Sequence, residues 1–284
     1  MRESAKYVNH LGRSVDLNDD GVHISSGELS DWSIGYATLN GRISSFRREP
    51  REVPVTAVIA CSTSARGMEK RNEIYEVAAV DVEAGTPGRL YVGDWYMPGY
   101  IVGSKKGRYW HTGAAADYEL AFASDDPRWT LEHSLSFVPG SNRDGGLTYP
   151  RDYPHSYGTT MGSVALENPS FLPSAAKIVV YGPAANPYVI VAGNRYEVEV
   201  SVPDGGHLVI DGAARTPTIT LVHGDGTAEN VFHRRRGNQK KGGGSYVFEP
   251  VPPGVSSVMW DGSFGFDLVI HEKRDERRWS GWSG

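Results

Sequence analysis

KIVVYGPAANPYVIVAGNRYEVEVSVPDGGHLVID, residues 177–211, decides the fold class. Tyr196, Val198, Val200 and Val202 fall on one face of an extended strand, and Arg195, Glu197, Glu199 and Ser201 on the other. A period of two is the pattern of a strand with one buried face. Gly193-Asn194 reads as a tight hairpin turn before it. Pro203-Asp204-Gly205-Gly206 reads as a second turn, because proline presets φ and glycine accepts positive φ, and the chain re-enters with Leu208 and Ile210. Two strands joined by short turns, with nothing resembling a catalytic signature between them, predict a β-sandwich.

The rest of the chain extends this pattern. With 284 residues it suits two domains, each large enough for its own core. The 34 glycines and 17 prolines, among many Val, Ile, Thr and Tyr, favour an all-β protein rich in turns. Short strands are expected over 13–17 and 31–39, and a clear one over 52–61. Helical character is expected once, over 66–82, where Ser62-Thr63-Ser64 can cap a segment with Ile74, Val77, Ala78 and Val82 near helical spacing; Gly85-Thr86-Pro87-Gly88 stops it. Strands follow near 89–94, 96–103, 117–124 and 128–138, the last with Trp129, Leu131, His133, Leu135 and Phe137 alternating. Periodicity then lapses from Pro139 to Gly158, which places a boundary between domains 1–152 and 153–284. Strands resume and close with Phe264, Phe266, Leu268 and Ile270, and the aperiodic Arg277–Gly284 reads as a tail or an interface arm.

Composition excludes several functions. A net charge of −5 argues against a general nucleic-acid binder, whose phosphate contacts need a basic surface. The single Cys61 allows no disulfide framework within a chain, and its place after Val53, Val55, Ala57 and Ile59 predicts a buried small hydrophobe. No apolar run is long enough to span a membrane, and the N-terminus lacks a secretory core, so a soluble protein made in a cytoplasm is expected.

Several segments resemble, in order, the siphophage distal tail proteins. Pro87-Gly88-Arg89-Leu90-Tyr91-Val92-Gly93-Asp94 and Tyr118-Glu119-Leu120-Ala121-Phe122-Ala123-Ser124-Asp125-Asp126-Pro127-Arg128-Trp129 resemble the N-terminal half of that family. Ile178–Gly182, Asn186–Ile190, Tyr196–Val200 and Leu208–Asp211 resemble its C-terminal half, followed by Asn230–Arg234 and the closing strand Phe264–Ile270. The resemblance implies a ring-forming tail-hub β domain carrying one helix, over 1–152, followed by a galectin-like β-sandwich over 153–284. It further implies a structural virion protein, a hexameric ring at the tail tip that joins the tail tube protein to the tail-associated fibre or lysin protein and to host-binding proteins. Genomic DNA would pass the lumen without specific binding. The helix and the basic segment around Arg234 are plausible contact elements of such a ring.

Side chains that could carry chemistry read more simply as structure. Asp16-Leu17-Asn18-Asp19-Asp20-Gly21 matches the first half of a calcium loop, but its twelfth position is Gly27, with Glu28 one place late. Asp19, Asp20, Asp125 and Asp126 occur as adjacent pairs, and neighbours on one loop cannot straddle a glycosidic bond. His223, Asp225 and Glu229 form a weak metal set in a turn. Gly237–Ser245 lacks the order of a phosphate loop and reads as a flexible hairpin tip. His207 and Asn230 do not complete the pattern that sugar-binding galectins use. No catalytic, cofactor or metal residue is therefore expected, and the chain is read as a non-enzyme.

Two features leave a second function open. Arg234-Arg235-Arg236 with Lys240-Lys241 could hold an anionic partner, such as a cell-wall polymer or an acidic neighbouring subunit. The seven Trp and fifteen Tyr could stack on sugars, although they equally fill cores and interfaces. A carbohydrate-binding protein recognising host glycans through the C-terminal sandwich is the alternative.

Overall fold

The computed structural model describes residues 4–18, 21–24, 28–109, 114–140 and 163–278. They form an all-β protein with one α-helix among the described residues. Two compact units result: Met1–Leu131 together with Lys273–Gly284, and Glu132–Glu272. In sequence, the second is inserted into the first. From residue 141 to 162 the stretch read as a boundary lies outside the described residues, as do Asp19, Asp20, Gly27 and the tail from Trp279.

In the first unit a mixed-length antiparallel sheet runs in the order Ser14–Asp16, Ala5–Val8, Gly88–Val92, Trp95–Tyr109, Ala115–Ser124, Arg51–Ala60 and Val22–Ile24. Trp95–Tyr109 serves three neighbours: its first residues pair with Gly88–Val92, its later ones with Ala115–Ser124, and Tyr96 also pairs with Thr130 of the strand Trp129–Phe137. The changeover falls between Gly99 and Tyr100. A Cβ on Gly99 would lie 2.4 Å from the Ala123 carbonyl oxygen, so only glycine fits the bend. Val53, Val55, Ala57 and Ile59 are buried as their alternation predicts, while the outward residues of the strand remain exposed. The strand stops at Ala60, and Cys61, expected to be buried, is only partly so because it lies past the last paired residue.

The helix spans Ser64–Ala84. Thr63 caps it by accepting the Arg66 amide at 3.2 Å, and Gly85, at φ +61°, donates to the carbonyls of Asp81 and Val82. Its inward face is Gly67, Lys70, Ile74, Val77, Ala78 and Asp81, a helical period in which two members carry charge. Val82, expected on this face, is exposed instead.

In the second unit one sheet runs Ala228–Asn230, Thr218–Val222, His207–Asp211, Ala175–Tyr181 and Phe266–Arg274, the last strand crossing into the other unit at residue 273. A second sheet runs Val164–Asn168, Gly254–Met259, Tyr188–Val191 and Asn194–Glu197. Side chains from both enclose one apolar core, which makes this unit a β-sandwich. Tyr196, Val198, Val200 and Val202 are all buried as expected, but not on one strand: Asn194–Glu197 and Ser201–Val202 pair with different partners. Between them Val200 donates to the Val198 carbonyl at 3.1 Å, a local turn that keeps the inward sequence while changing the neighbour.

The hairpin before this segment turns one residue earlier than the sequence predicts. Val191 pairs with Asn194, so Ala192 and Gly193 are the turn residues, at φ +51° and +79°. Two positive φ values match the twist of a two-residue hairpin, and an L-residue without a short polar side chain is strained there by about 1–2 kcal/mol. Ala192→Asn should therefore raise the unfolding free energy by about 0.5–1 kcal/mol. An unchanged or lower thermal midpoint would show that the alanine is not strained.

Candidate functional site

The candidate carboxylates serve the fold. Asp126 bonds Arg128 (Oδ1 to Nε, 2.5 Å) and Lys273 (Oδ2 to Nζ, 2.8 Å). Burial would raise its pKa, but the hydrogen bonds from Arg128 and Lys273 outweigh that and hold it below the usual carboxylate value. Asp275 beside it forms a two-pronged pair with Arg48 at 2.6 and 2.7 Å. Asp225 accepts the amide and hydroxyl of Thr227 at 2.9 and 2.7 Å, which closes its turn and lowers its pKa. His223 stands 3.8 Å from Glu229, too far for a hydrogen bond. Among the described residues no group of three metal-ligating side chains forms.

A buried polar cluster went unrecognised in the sequence. Asp81, on the helix, is fully buried; its Oδ2 accepts the Tyr7 hydroxyl, and its Oδ1 accepts the His10 amide at 2.9 Å and lies 2.6 Å from His10 Nδ1. The Gly99 carbonyl oxygen lies 3.1 Å from the Tyr7 hydroxyl. Burial, reinforced by the Asp81 hydrogen bond and charge, holds the Tyr7 phenol well above its usual pKa. Gly88 makes room, since a Cβ there would meet Asp81 Oδ2 at 2.3 Å. Helix, N-terminal strand and the strand Trp95–Tyr109 are thereby fastened at one point.

Two surfaces of the first unit are conspicuous. Gly35–Leu39 and Arg42–Arg47 form a hairpin turned by Asn40-Gly41, at φ +52° and +73°, and every residue of both strands is exposed. Its register pairs Tyr36 with Phe46 and Thr38 with Ile43, so Tyr36, Ile43 and Phe46 share a face, with Leu39 on the other. The Asn-Gly dipeptide between apolar residues is the signal that could have located this hairpin. The second surface is the outward helix face, where Met68, Tyr75 and Val82 recur every seven residues and are exposed by 51, 74 and 47 %.

In the second unit the basic segment is compact rather than a flexible hairpin tip. Asn238 Nδ2 donates to the Gly243 carbonyl at 2.7 Å, Gly242 to Glu249 Oε2 at 2.9 Å, and Arg195 to the Gly244 carbonyl at 2.9 Å. Beside it Asn186, Glu199, Ser201, His233, Arg234 and Arg236 line an open concavity of about 470 Å³. Arg236 pairs with Glu199 at its wall, and Arg234, Asn186, Ser201 and His233 are exposed beside it. This arrangement can hold hydroxyls or an anion. His207 and Asn230 lie apart from it: His207 is beside Tyr181, and Asn230 accepts the Phe232 amide.

No protein-family profile and no curated protein matches the sequence. Solved structures do match in fold. A chain of the phage P2 baseplate in its activated conformation, solved with Ca and with Sr, gives a TM-score of 0.59 at 11 % identity, covering 98 % of this chain and 100 % of that one. The SPP1 Dit protein (gp 19.1), described as a paradigm of the hub adsorption apparatus in phages infecting Gram-positive hosts, gives 0.55 at 14 % identity, covering 96 and 100 %. Over nearly its whole length, then, this chain has the fold of a phage P2 baseplate chain and of the SPP1 Dit protein.

Proposed function

We propose that this chain is a structural protein of a phage tail tip, a distal tail protein with no catalytic role. The observation that carries this reading is a fold match to two phage tail-tip structures that leaves almost no residue of either chain uncovered. Partial matches would point to a shared module; end-to-end agreement supports a shared job. The finer reading is a hexameric ring, built by the first unit, that joins the tail tube to the fibre or lysin and host-adsorption proteins. The exposed apolar pair Tyr36 and Phe46 supports it, because a lone two-stranded hairpin is marginally stable until another surface covers it.

Light scattering over a range of concentrations, with negative-stain images of the largest species, tests this. Six-fold rings with an open centre are the expected result. A monomer at every concentration would count against the ring. The concavity around Arg234 favours one second reading, host-glycan binding by the second unit, and glycan-array binding by a monomeric full chain would bring that reading forward.

A further inference from the structure

We propose that Asn40, at the tip of the exposed hairpin 35–47, is a site of spontaneous deamidation, where the chain converts itself, with water alone, to aspartate and isoaspartate. The inference stands apart from the ring reading, because it needs only the free chain.

Asn40 is the one asparagine in the sequence followed by glycine. Gly41 has no side chain to hinder the approach of its backbone nitrogen to the Asn40 side chain. Both residues are exposed, and neither the Asn40 amide nor the Gly41 N–H takes part in a hydrogen bond among the described residues. Other asparagines differ. Asn168 and Asn186 precede proline, whose nitrogen carries no proton to lose. Hydrogen bonds hold the side-chain amides of Asn9, Asn194, Asn230 and Asn238 in place.

The step balances without an oxidant, a reductant or a cofactor. The Gly41 nitrogen gives up its proton to solvent and bonds to Asn40 Cγ; the Cγ–Nδ2 bond breaks, and Nδ2 takes up a proton and leaves as ammonia. A five-membered succinimide remains. Water then opens it at Cγ, giving aspartate, or at the backbone carbonyl carbon, giving isoaspartate, and the Gly41 N–H is restored in both cases.

The hairpin controls the rate. At φ +52° and +73° Asn40 and Gly41 form a turn of the mirror-image type, in which the Gly41 nitrogen points away from the Asn40 side chain. The hairpin must therefore open before the succinimide can close. Every residue of its two strands is exposed, and a lone two-stranded hairpin is marginally stable, so opening is frequent. Isoaspartate puts one more carbon into the main chain between positions 40 and 41, and the length of a two-residue turn is what sets Tyr36 opposite Phe46. An aged hairpin cannot close in the same register.

The full chain, diluted until monomeric and incubated at mildly alkaline pH, tests this. Peptide mapping by mass spectrometry follows each asparagine, with the same chain unfolded in guanidinium chloride as the reference. Asn40 should convert before any other asparagine, at a rate within about tenfold of the unfolded chain's, since a marginal hairpin protects it by no more than that. Methyl labelling by an isoaspartyl methyltransferase should rise in step. Asn40→Gly suits a positive φ, so it should keep the turn and remove most of the labelling. Conversion slower than the tenfold bound, earlier conversion at another asparagine, or undiminished labelling of the variant would each overturn the proposal.

Discussion

Trp260→Ala lowers the unfolding free energy of the protein by about 3–5 kcal/mol, the range for removing a large aromatic from a packed core. Trp260 is fully buried in the sandwich and sits in a ring cluster. Phe137 meets it edge-on at 5.5 Å and Phe266 at 5.2 Å, while Phe137 and Phe266 stack at 4.6 Å. The indole also donates to the Phe264 carbonyl at 3.0 Å. Truncation thus leaves a cavity between two sheets, removes the edge-to-face contacts and orphans a buried acceptor. Trp260→Phe keeps a ring and most of the volume, so it should lose roughly half as much. Urea unfolding followed by near-ultraviolet circular dichroism measures both. A loss below about 1 kcal/mol for the alanine variant would mean that the sandwich closes over the gap and that the cluster is not central to it.

The second large effect lies in the first unit. Asp81→Ala should cost about 3–5 kcal/mol, because it removes the shared acceptor at the centre of a polar set whose Tyr7 hydroxyl is buried. Tyr7 would be left with the Gly99 carbonyl alone, at 3.1 Å, and His10 would lose the acceptor of its amide and ring nitrogen. Tyr7→Phe should cost less, about 1–3 kcal/mol, and the double variant less than the sum of the two, since both changes remove the same bond. Ellipticity at 222 nm follows this region, because the helix lies within it. Additive losses would show that Tyr7 and Asp81 do not act on one another.

Most of the architecture was legible in the sequence for a physical reason: strands with one wet face write their burial as alternation. Val53 to Ile59 and the closing strand could be read directly, as could both ends of the helix, since Thr63 and Gly85 supply caps that few other residues provide. Alternation does not name partners, however. The run from Tyr196 to Val202 keeps its period through a local turn, so two strands looked like one. Asp81 and Lys70 were hidden because a charged residue on a helix is ordinarily a wet one. One strand of the exposed hairpin, Gly35–Leu39, falls within the strand expected over 31–39, but its partner Arg42–Arg47 was hidden for the opposite reason. Without a buried face Arg42–Arg47 has no alternation to show, and only Asn40-Gly41 marks the pairing. The phage-tail resemblance rested on the order of short segments, and the fold bears it out along the chain.

The insertion of Glu132–Glu272 into the first unit sets an order for biosynthesis. Domains commonly fold in the order in which they leave the ribosome. Here the sandwich is one unbroken stretch and can complete itself as soon as it emerges. Its predecessor must wait, because Lys273, Asp275 and Arg277 supply the partners of Asp126, Arg48 and Trp129. The part of the chain made first is therefore finished last. Until then its exposed hairpin and its helix belong to an incomplete unit.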